Sequence, residues 1–449
     1  MSTRRQPVAC GVDIGSTNVK VALLAPDGEV LARRAIPTPR DERGLSIAPW
    51  TLMSAIESLI IDACGTRYSI AALSTAGIGE DGVLLDERLE VLTEALSWFD
   101  PRRQTVFREL AGVLGDDRTY DARADPARTM IGWRWSTQQL LVAPPRWWCA
   151  IADLPAAVWT GHVFLSDTLA SRTGAWRTSA RGWGQDRVEA TLGDARLLPT
   201  VLPAGSVLGE VRDSTLRRSG VLLPDAVVVV GGHDHPVASW GIDQLSAGAI
   251  LDAMGTAEVV VAQTARDDLP QSADLDLSAG IRSAGRTLMR VEELSRNITW
   301  ASQNPEVGRR IREIVAGDLA PLPVLESGYF IPGVRGGGQP TYATSAPSDS
   351  RARASAVLGA LALVGRDALS AVRHGAVAEG VVRSAGGWVR SEGWMSIKET
   401  VNGFSSRPVA EPEVTAVSAA MLAARGRGWN PDPVLALDGS VSGERVSSR

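Results

Sequence analysis

A carboxylate two residues ahead of a glycine and two hydroxyls, set between apolar runs, can hold a phosphate group and its metal. Residues 9–24 carry that set: an apolar run ending in Asp13 and Ile14, then Gly15, Ser16, Thr17 and Asn18, then a second apolar run that contains Lys20. Gly15 lets a ligand approach the backbone without a Cβ in the way. Ser16, Thr17 and the neighbouring N–H groups can form a nest for phosphate oxygens, and Asp13 is placed to hold a hydrated Mg²⁺. A plain hairpin turn has the same composition. A second copy of the plan, Gly248 to Ala262 with Asp252 and a Gly255-Thr256 turn, favours a duplicated fold whose two glycine-hydroxyl turns grip one nucleotide.

Phosphoryl transfer asks for little beyond a phosphate cradle, a metal and a base for the attacking hydroxyl. Asp234 is the candidate base, because it follows an apolar strand and Gly231-Gly232. A carboxylate there projects into open space, or it caps a helix N-terminus. His233 and His235 flank it and make up half of the four histidines. With no further Cys/His cluster, they read as residues that shape a pocket or hydrogen-bond a substrate. Glu80 and Asp81, bracketed by Gly79 and Gly82, could accept bonds from several hydroxyls, or could be an exposed hairpin turn. Trp98, Asp100 and Arg102, in Trp98-Phe99-Asp100-Pro101-Arg102-Arg103, can wall and hydrogen-bond a sugar, or form a structural salt bridge.

These residues need elements to present them. Residues 9–35 read as two or three strands with a turn at Pro26-Asp27-Gly28, and residues 48–64 as a helix with Leu52, Ile56, Leu59, Ile60 and Ala63 on one face. Strand, turn and strand follow over 69–86, and a helix over 104–114. The tryptophan-rich stretch 130–160 reads as core. A strand ends at Gly231-Gly232, and a helix begins after Pro236. A domain boundary is expected near 242–247, giving an N-terminal domain 1–243 and a C-terminal domain 244–430. Further helices are expected at about 306–316, 352–380 and 416–424, and a glycine turn at Gly386-Gly387. Residues 431–449 are expected to be a polar tail.

The chain has 449 residues, 44% hydrophobic and 22% charged, with a formal charge of −5, which argues against a broad basic surface for nucleic acid. Lys20 and Lys398 are its only lysines, so a lysine-based mechanism has two candidates. Cys10, Cys64 and Cys149 are far apart and suggest neither a zinc knuckle nor a disulfide framework. No signal peptide or membrane span is expected, and a reducing cytoplasm fits.

In order along about residues 8–428, these motifs resemble those of the FGGY carbohydrate kinases, such as xylulokinase and glycerol kinase. Asp13 to Lys20 looks like the first phosphate motif and Gly255-Thr256 like the second. Glu80 to Asp86 falls at the substrate turn, and Trp98 to Arg102 resembles the Trp-x-Asp-x-Arg segment. Asp153 and Ser166-Asp167 fit the family order. Gly231 to Asp234 looks like the segment bearing the base, and Gly386-Gly387 like the adenosine motif. The resemblance implies an α/β, two-domain actin/Hsp70/sugar-kinase (ribonuclease H-like) fold with a central cleft that holds ATP and Mg²⁺. It also implies a cytoplasmic enzyme that takes a small-molecule sugar or polyol, with the homodimer usual in related enzymes. Where Ile78-Gly79-Glu80 stands, xylulokinases usually carry Gln-Met-His and glycerol kinases Arg-Glu, so Glu80 fits the latter and Gly79 neither. A turn with two carboxylates and no basic residue favours a neutral ketose or polyol, pentulose-like first, over a sugar acid. Kinases of glycerol or tetritols and a catalytically silent sugar-binding regulator are the alternatives. An Hsp70-like ATPase would need a substrate-binding domain for which the chain has no room.

Overall fold

The computed structural model describes residues 5–212, 214–269, 275–281, 284–334, 338–376 and 380–439. They form two compact units. The first contains residues up to Leu245, the segment Ala265–Thr287, and the chain from Glu413 onward; the second contains Ser246–Thr264 and Leu288–Pro412.

The first unit is built on strands β1 (Gln6–Ile14), β2 (Asn18–Leu24) and β3 (Val30–Pro37), helix α1 (Pro49–Cys64), strand β4 (Tyr68–Gly77), helix α2 (Arg102–Leu110), strands β5 (Val207–Glu210) and β6 (Leu222–His233), and helix α3 (Asp234–Leu245). The sheet order is β5-β6-β4-β1-β2-β3. β1 and β2 form an antiparallel hairpin in which Asp13 faces Lys20, while β1, β4 and β6 run parallel. All ten residues of β4 are buried, as a strand covered on both faces should be. α1 starts with Pro49 in its first turn, buries Leu52, Ile56, Leu59, Ile60 and Ala63, and ends at Gly65. Trp133, Trp148 and Trp159 are buried as expected, the first two edge to face at 5.7 Å.

The second unit contains strands β7 (Ile250–Met254) and β8 (Ala257–Thr264), strand β9 (Arg286–Glu293) from Leu288 onward, helices α4 (Pro305–Ala316) and α5 (Ser350–Ala376), strand β10 (Val382–Ala385), helix α6 (Glu392–Asn402) and the short strand β11 (Arg407–Pro408). The sheet has six strands: a short strand at Asp276–Ala279, then β9-β8-β7-β10-β11 in that order. The hairpin β7–β8 lies beside the parallel strand β10, as β1–β2 lies beside β4. The two units thus repeat one plan. By length and composition alone α5 could cross a membrane, but most of that stretch is buried, with Val357, Leu358 and Leu361 in the core.

The C-terminal chain corrects two expectations. Helix α7 (Val414–Gly426), assigned by sequence to a domain ending at 430, belongs with the first unit. Its small residues let it lie directly on β1: a Cβ on Gly11 would stand 2.0 Å from the Ala416 carbonyl oxygen. The expected polar tail also includes ordered chain. Helix α8 (Pro433–Leu437) is capped by Asp432, Ala436 and Leu437 are buried, and the Asp432 N–H donates to the Asp27 carbonyl at 2.8 Å. Residues 440–449 lie outside the described residues.

Candidate active site

The candidate base is delivered by a strand that must pass very close to its neighbours. A Cβ on Gly231 would lie 1.9 Å from the Thr75 carbonyl oxygen. On Gly232, at φ +145°, it would lie 2.1 Å from Thr168 Oγ1 and 2.5 Å from Ser166 Oγ. Glycine is therefore required at both positions, and the Ser166–Thr168 segment supports the end of β6. Ser166 Oγ donates to the Gly231 carbonyl at 3.0 Å, and the His233 N–H donates to Thr168 Oγ1 at 3.0 Å. α3 then begins at Asp234 itself, ahead of Pro236 and not after it as expected.

Asp234 keeps 21% of its side chain exposed. Its Oδ1 accepts the His235 N–H at 2.7 Å and lies 3.2 Å from His233 Nε2 and 3.7 Å from His235 Nε2. Burial, with Glu80 adding to it, pushes its carboxyl up to about 7 against the pull of Arg172 and Lys20. His233 is driven well below the usual imidazole range, first by burial and then by Arg172, so it is neutral.

Asp13 lies within electrostatic reach of that carboxylate. It too is pushed up to about 7, mainly by burial and further by Asp234 and Glu413, against Lys20. Lys20 Nζ is 4.0 Å from Asp13 Oδ2 and 2.6 Å from Glu413 Oε2. Glu413, at the start of α7, is a participant that sequence reasoning missed. In the hairpin turn the Gly15 N–H donates to the Asn18 carbonyl at 3.0 Å, the oxygen that a Cβ on Gly15 would meet at 2.9 Å. Glycine there serves turn closure. Ser16 Oγ accepts the Trp98 indole N–H at 3.0 Å, and the Ser16 carbonyl accepts from Arg40 at 2.8 Å. Thr17 is exposed. This grouping brings Ser16 and Trp98 together.

Glu80 and Asp81 are buried, which rules out a solvent-exposed turn. The expectation that no basic residue stands there also needs correction, because two arginines reach it from elsewhere in the chain. Arg172 donates to Glu80 Oε1 through Nη2 at 2.5 Å and Nε at 3.1 Å. Arg103, 1% exposed, approaches Asp81 Oδ1 at 3.5 Å while donating to the carbonyls of Leu96, Ser97, Ala127, Arg128 and Glu80. Burial, outweighing Arg103, pushes Asp81 up to about 7. Asp100 and Arg102 engage each other, Nη2 to Oδ2 at 2.7 Å, and Arg102 stacks over Trp135; the salt-bridge alternative describes them. Asp153 is fully buried and accepts the Ser166 N–H at 2.8 Å, a supporting role.

In the second unit the remaining candidates converge. Because β7 and β10 are parallel, with Ala253 opposite Ala385, their following turns emerge together. The Trp388 indole N–H donates to the Gly255 carbonyl at 3.0 Å, and a Cβ on Gly386, at φ +97°, would lie 2.3 Å from the Met254 carbonyl oxygen. Gly255, Thr256, Gly386 and Gly387 are exposed. Together they make a shallow surface of backbone and hydroxyl beside an indole.

Among the described residues no three His, Cys, Asp or Glu side chains are grouped to hold a metal directly. Asp13, Asp234 and Glu413 with one lysine nonetheless leave an excess of negative charge, which suits a cation held through water.

Residues 8–241 match the FGGY family of carbohydrate kinases, N-terminal domain. The chain is 25% identical over 324 residues to L-fuculokinase of Escherichia coli (strain K12), covering 67% of this chain and 68% of that protein. It is 26% identical over 285 residues to the xylulose kinase of Streptomyces coelicolor, covering 59% and 56%. Gluconate kinase from Lactobacillus acidophilus superposes with a TM-score of 0.82 over 96% of this chain and 92% of that one, at 16% identity. The fold is the actin/Hsp70-like fold of the sugar kinases.

Proposed function

Because the chain belongs to the FGGY family of carbohydrate kinases, and is a phosphotransferase that acts on a sugar or polyol hydroxyl, we propose that it transfers the γ-phosphate of ATP to a small neutral ketose or polyol, with pentuloses first. The observation that carries this reading is the environment of Asp234. Its carboxylate is partly exposed, pushed up to about 7, and within electrostatic reach of both the acceptor turn at Glu80 and the hairpin pair Asp13–Lys20. A base poised near neutrality takes a proton most effectively at working pH.

In this reading the acceptor hydroxyl gives its proton to Asp234 as its oxygen bonds to the γ-phosphorus and the bond to the departing ADP breaks. His233, neutral, holds the carboxylate's orientation and faces the acceptor. Glu80 and Asp81 accept acceptor hydroxyls, the Trp98 ring forms a wall, and the Asp100–Arg102 pair braces that wall. In the first unit Gly15, Ser16, Thr17, Asn18 and Lys20 are the phosphate-binding residues, and in the second unit Gly255, Thr256, Gly386 and Gly387 are nucleotide-binding residues. Asp13 would hold Mg²⁺ through water, and the ion would supply charge neutralisation at the phosphates.

A coupled ADP-release assay over ketoses, polyols and gluconate tests the proposal, with fuculose and xylulose, for which two relatives are named, tried first. Turnover of a neutral acceptor is expected. Binding without turnover, or a preference for gluconate, would overturn it.

A further inference from the structure

Gly79 is not a left-handed glycine; its missing side chain makes room. A Cβ there would lie 2.7 Å from His233 Cδ2 and 3.0 Å from Arg172 Cγ. Arg172 thus passes over the acceptor turn with its side chain 3% exposed. A buried guanidinium beside an acceptor site is what recognition of a sugar acid would use, since its planar fork matches a carboxylate.

Here that fork is already engaged. While Nε and Nη2 hold Glu80, Nη1 donates to Asp276 Oδ2 at 2.5 Å. Asp276 also accepts from Arg128, at 2.7 Å on Oδ1 and 3.1 Å on Oδ2, and Arg128 Nε lies 3.1 Å from Asp125 Oδ2. The charges alternate from Glu80 through Arg172, Asp276 and Arg128 to Asp125. Asp276 opens the short strand Asp276–Ala279, the neighbour of β9 in its sheet, within the segment Ala265–Thr287 that groups with the first unit. Its neighbour Leu277 donates its N–H to the Asp121 carbonyl at 2.8 Å. The Asp121 carboxylate takes the hydroxyl of Ser171, next to Arg172, at 2.9 Å. Both members of the Arg172–Asp276 pair are therefore anchored on one residue.

We propose that Asp276 is a specificity-determining residue: by neutralising Arg172 it stops the acceptor site from recognising sugar acids and reserves it for neutral ketoses and polyols. This rests on the kinase reading above. Removing the Asp276 charge while keeping its shape leaves a guanidinium one carboxylate short beside Glu80, and an acceptor carboxylate can then supply the missing charge.

The test compares kcat/KM for the best neutral acceptor with that for gluconate in wild type, Asp276→Asn, Asp276→Glu and Asp276→Asn/Arg172→Met. In Asp276→Asn the neutral-to-gluconate ratio is expected to fall by about tenfold or more, with KM for ATP unchanged. Asp276→Glu and the double variant, which removes the uncompensated cation, should return towards the wild-type ratio. A residue that only holds the fold would depress both acceptors together. An unchanged ratio in folded Asp276→Asn therefore overturns the proposal, and Asp276→Ser gives the same comparison should the asparagine variant misfold. A wild type that prefers gluconate would instead sink the neutral-acceptor reading, and that is visible before any variant is made. If the wild type turns over neither, calorimetric titration with the same two compounds gives the ratio, and failure to bind either overturns both.

Discussion

The chain's two lysines each end among two carboxylates, one cluster in each unit, and the clusters differ in access to water. Lys20 keeps 29% of its side chain exposed between Asp13 and Glu413. Lys398, from α6, is 3% exposed and packed against Asp252, at 3.2 Å, and Glu258. In the first hairpin the lysine comes from the strand opposite, Asp13 facing Lys20; in the second, Asp252 faces Val260 and the cation is imported from a helix. Gly365 on α5 makes room for the imported pair, for a Cβ there would stand 2.0 Å from Glu258 Oε1. The same three charges thus do different work. Where water reaches them, a ligand can replace a partner. Where it does not, the ions must satisfy one another, and they stabilise only as a set.

The comparison breaks most easily at Asp234, beside the open cluster. Asp234→Asn is expected to lower kcat by about 10²–10⁴-fold, the usual contribution of a general base, while the protein stays folded. Wild-type kcat/KM should rise as pH passes through about 7, where the carboxyl ionises. Stability runs the other way. The native carboxyl holds a proton that an unfolded aspartate, at about 3.9, has already released. The group's contribution is therefore full below that value and lost as pH rises through about 7. Thermal melts at pH 8 should find Asp234→Asn more stable than wild type; equal activity in the two proteins would remove Asp234 from its role.

The lysines sharpen the contrast. Lys398→Met strands two buried carboxylates and should cost about 3–5 kcal/mol of stability in denaturant titrations; adding Glu258→Gln and Asp252→Asn should recover much of it. Lys20→Met should cost less, about 1–2 kcal/mol, because water reaches Lys20 and Glu413 though not Asp13, but reduce kcat/KM for ATP by about tenfold through the lost charge at the phosphates. If Lys20→Met destabilises as strongly as Lys398→Met, exposure is not what separates the two clusters.

What could be read ahead of the structure was local. The hairpin around Gly15, the strand that ends at Gly231-Gly232 and the Gly255-Thr256 turn each declare themselves within a dozen residues, through apolar periodicity and turn chemistry. The charges that surround them do not. Arg172 meets Glu80 across 92 positions and Asp276 across 104, and no pattern in a single sequence marks such pairs. Arg102 and Arg103 show the limit well. The visible member of the motif forms a pair with Asp100, two residues away, while its neighbour is the one buried against Asp81. Glu413 was hidden for another reason: the chain returns to the first unit only after the second is complete, so order along the sequence suggested the wrong company.

The smallest effect is the cleanest reading of the second unit. Gly386 must be glycine for its backbone angle and for the Met254 carbonyl, so a defect in Gly386→Ala would say nothing about ligands. Gly387 and Gly255 are different: neither has positive φ, and a Cβ on either meets nothing within 4 Å. Gly387→Ala and Gly255→Ala should leave the melting temperature unchanged, because no packing is disturbed and alanine lowers the entropy of the unfolded chain. If these turns lie against the nucleotide, each methyl meets the ligand alone. KM for ATP then rises about threefold to tenfold with KM for the acceptor unmoved, an effect of about 1 kcal/mol that only a bound nucleotide would produce. An unchanged KM for ATP in both variants would free these turns of any part in nucleotide binding.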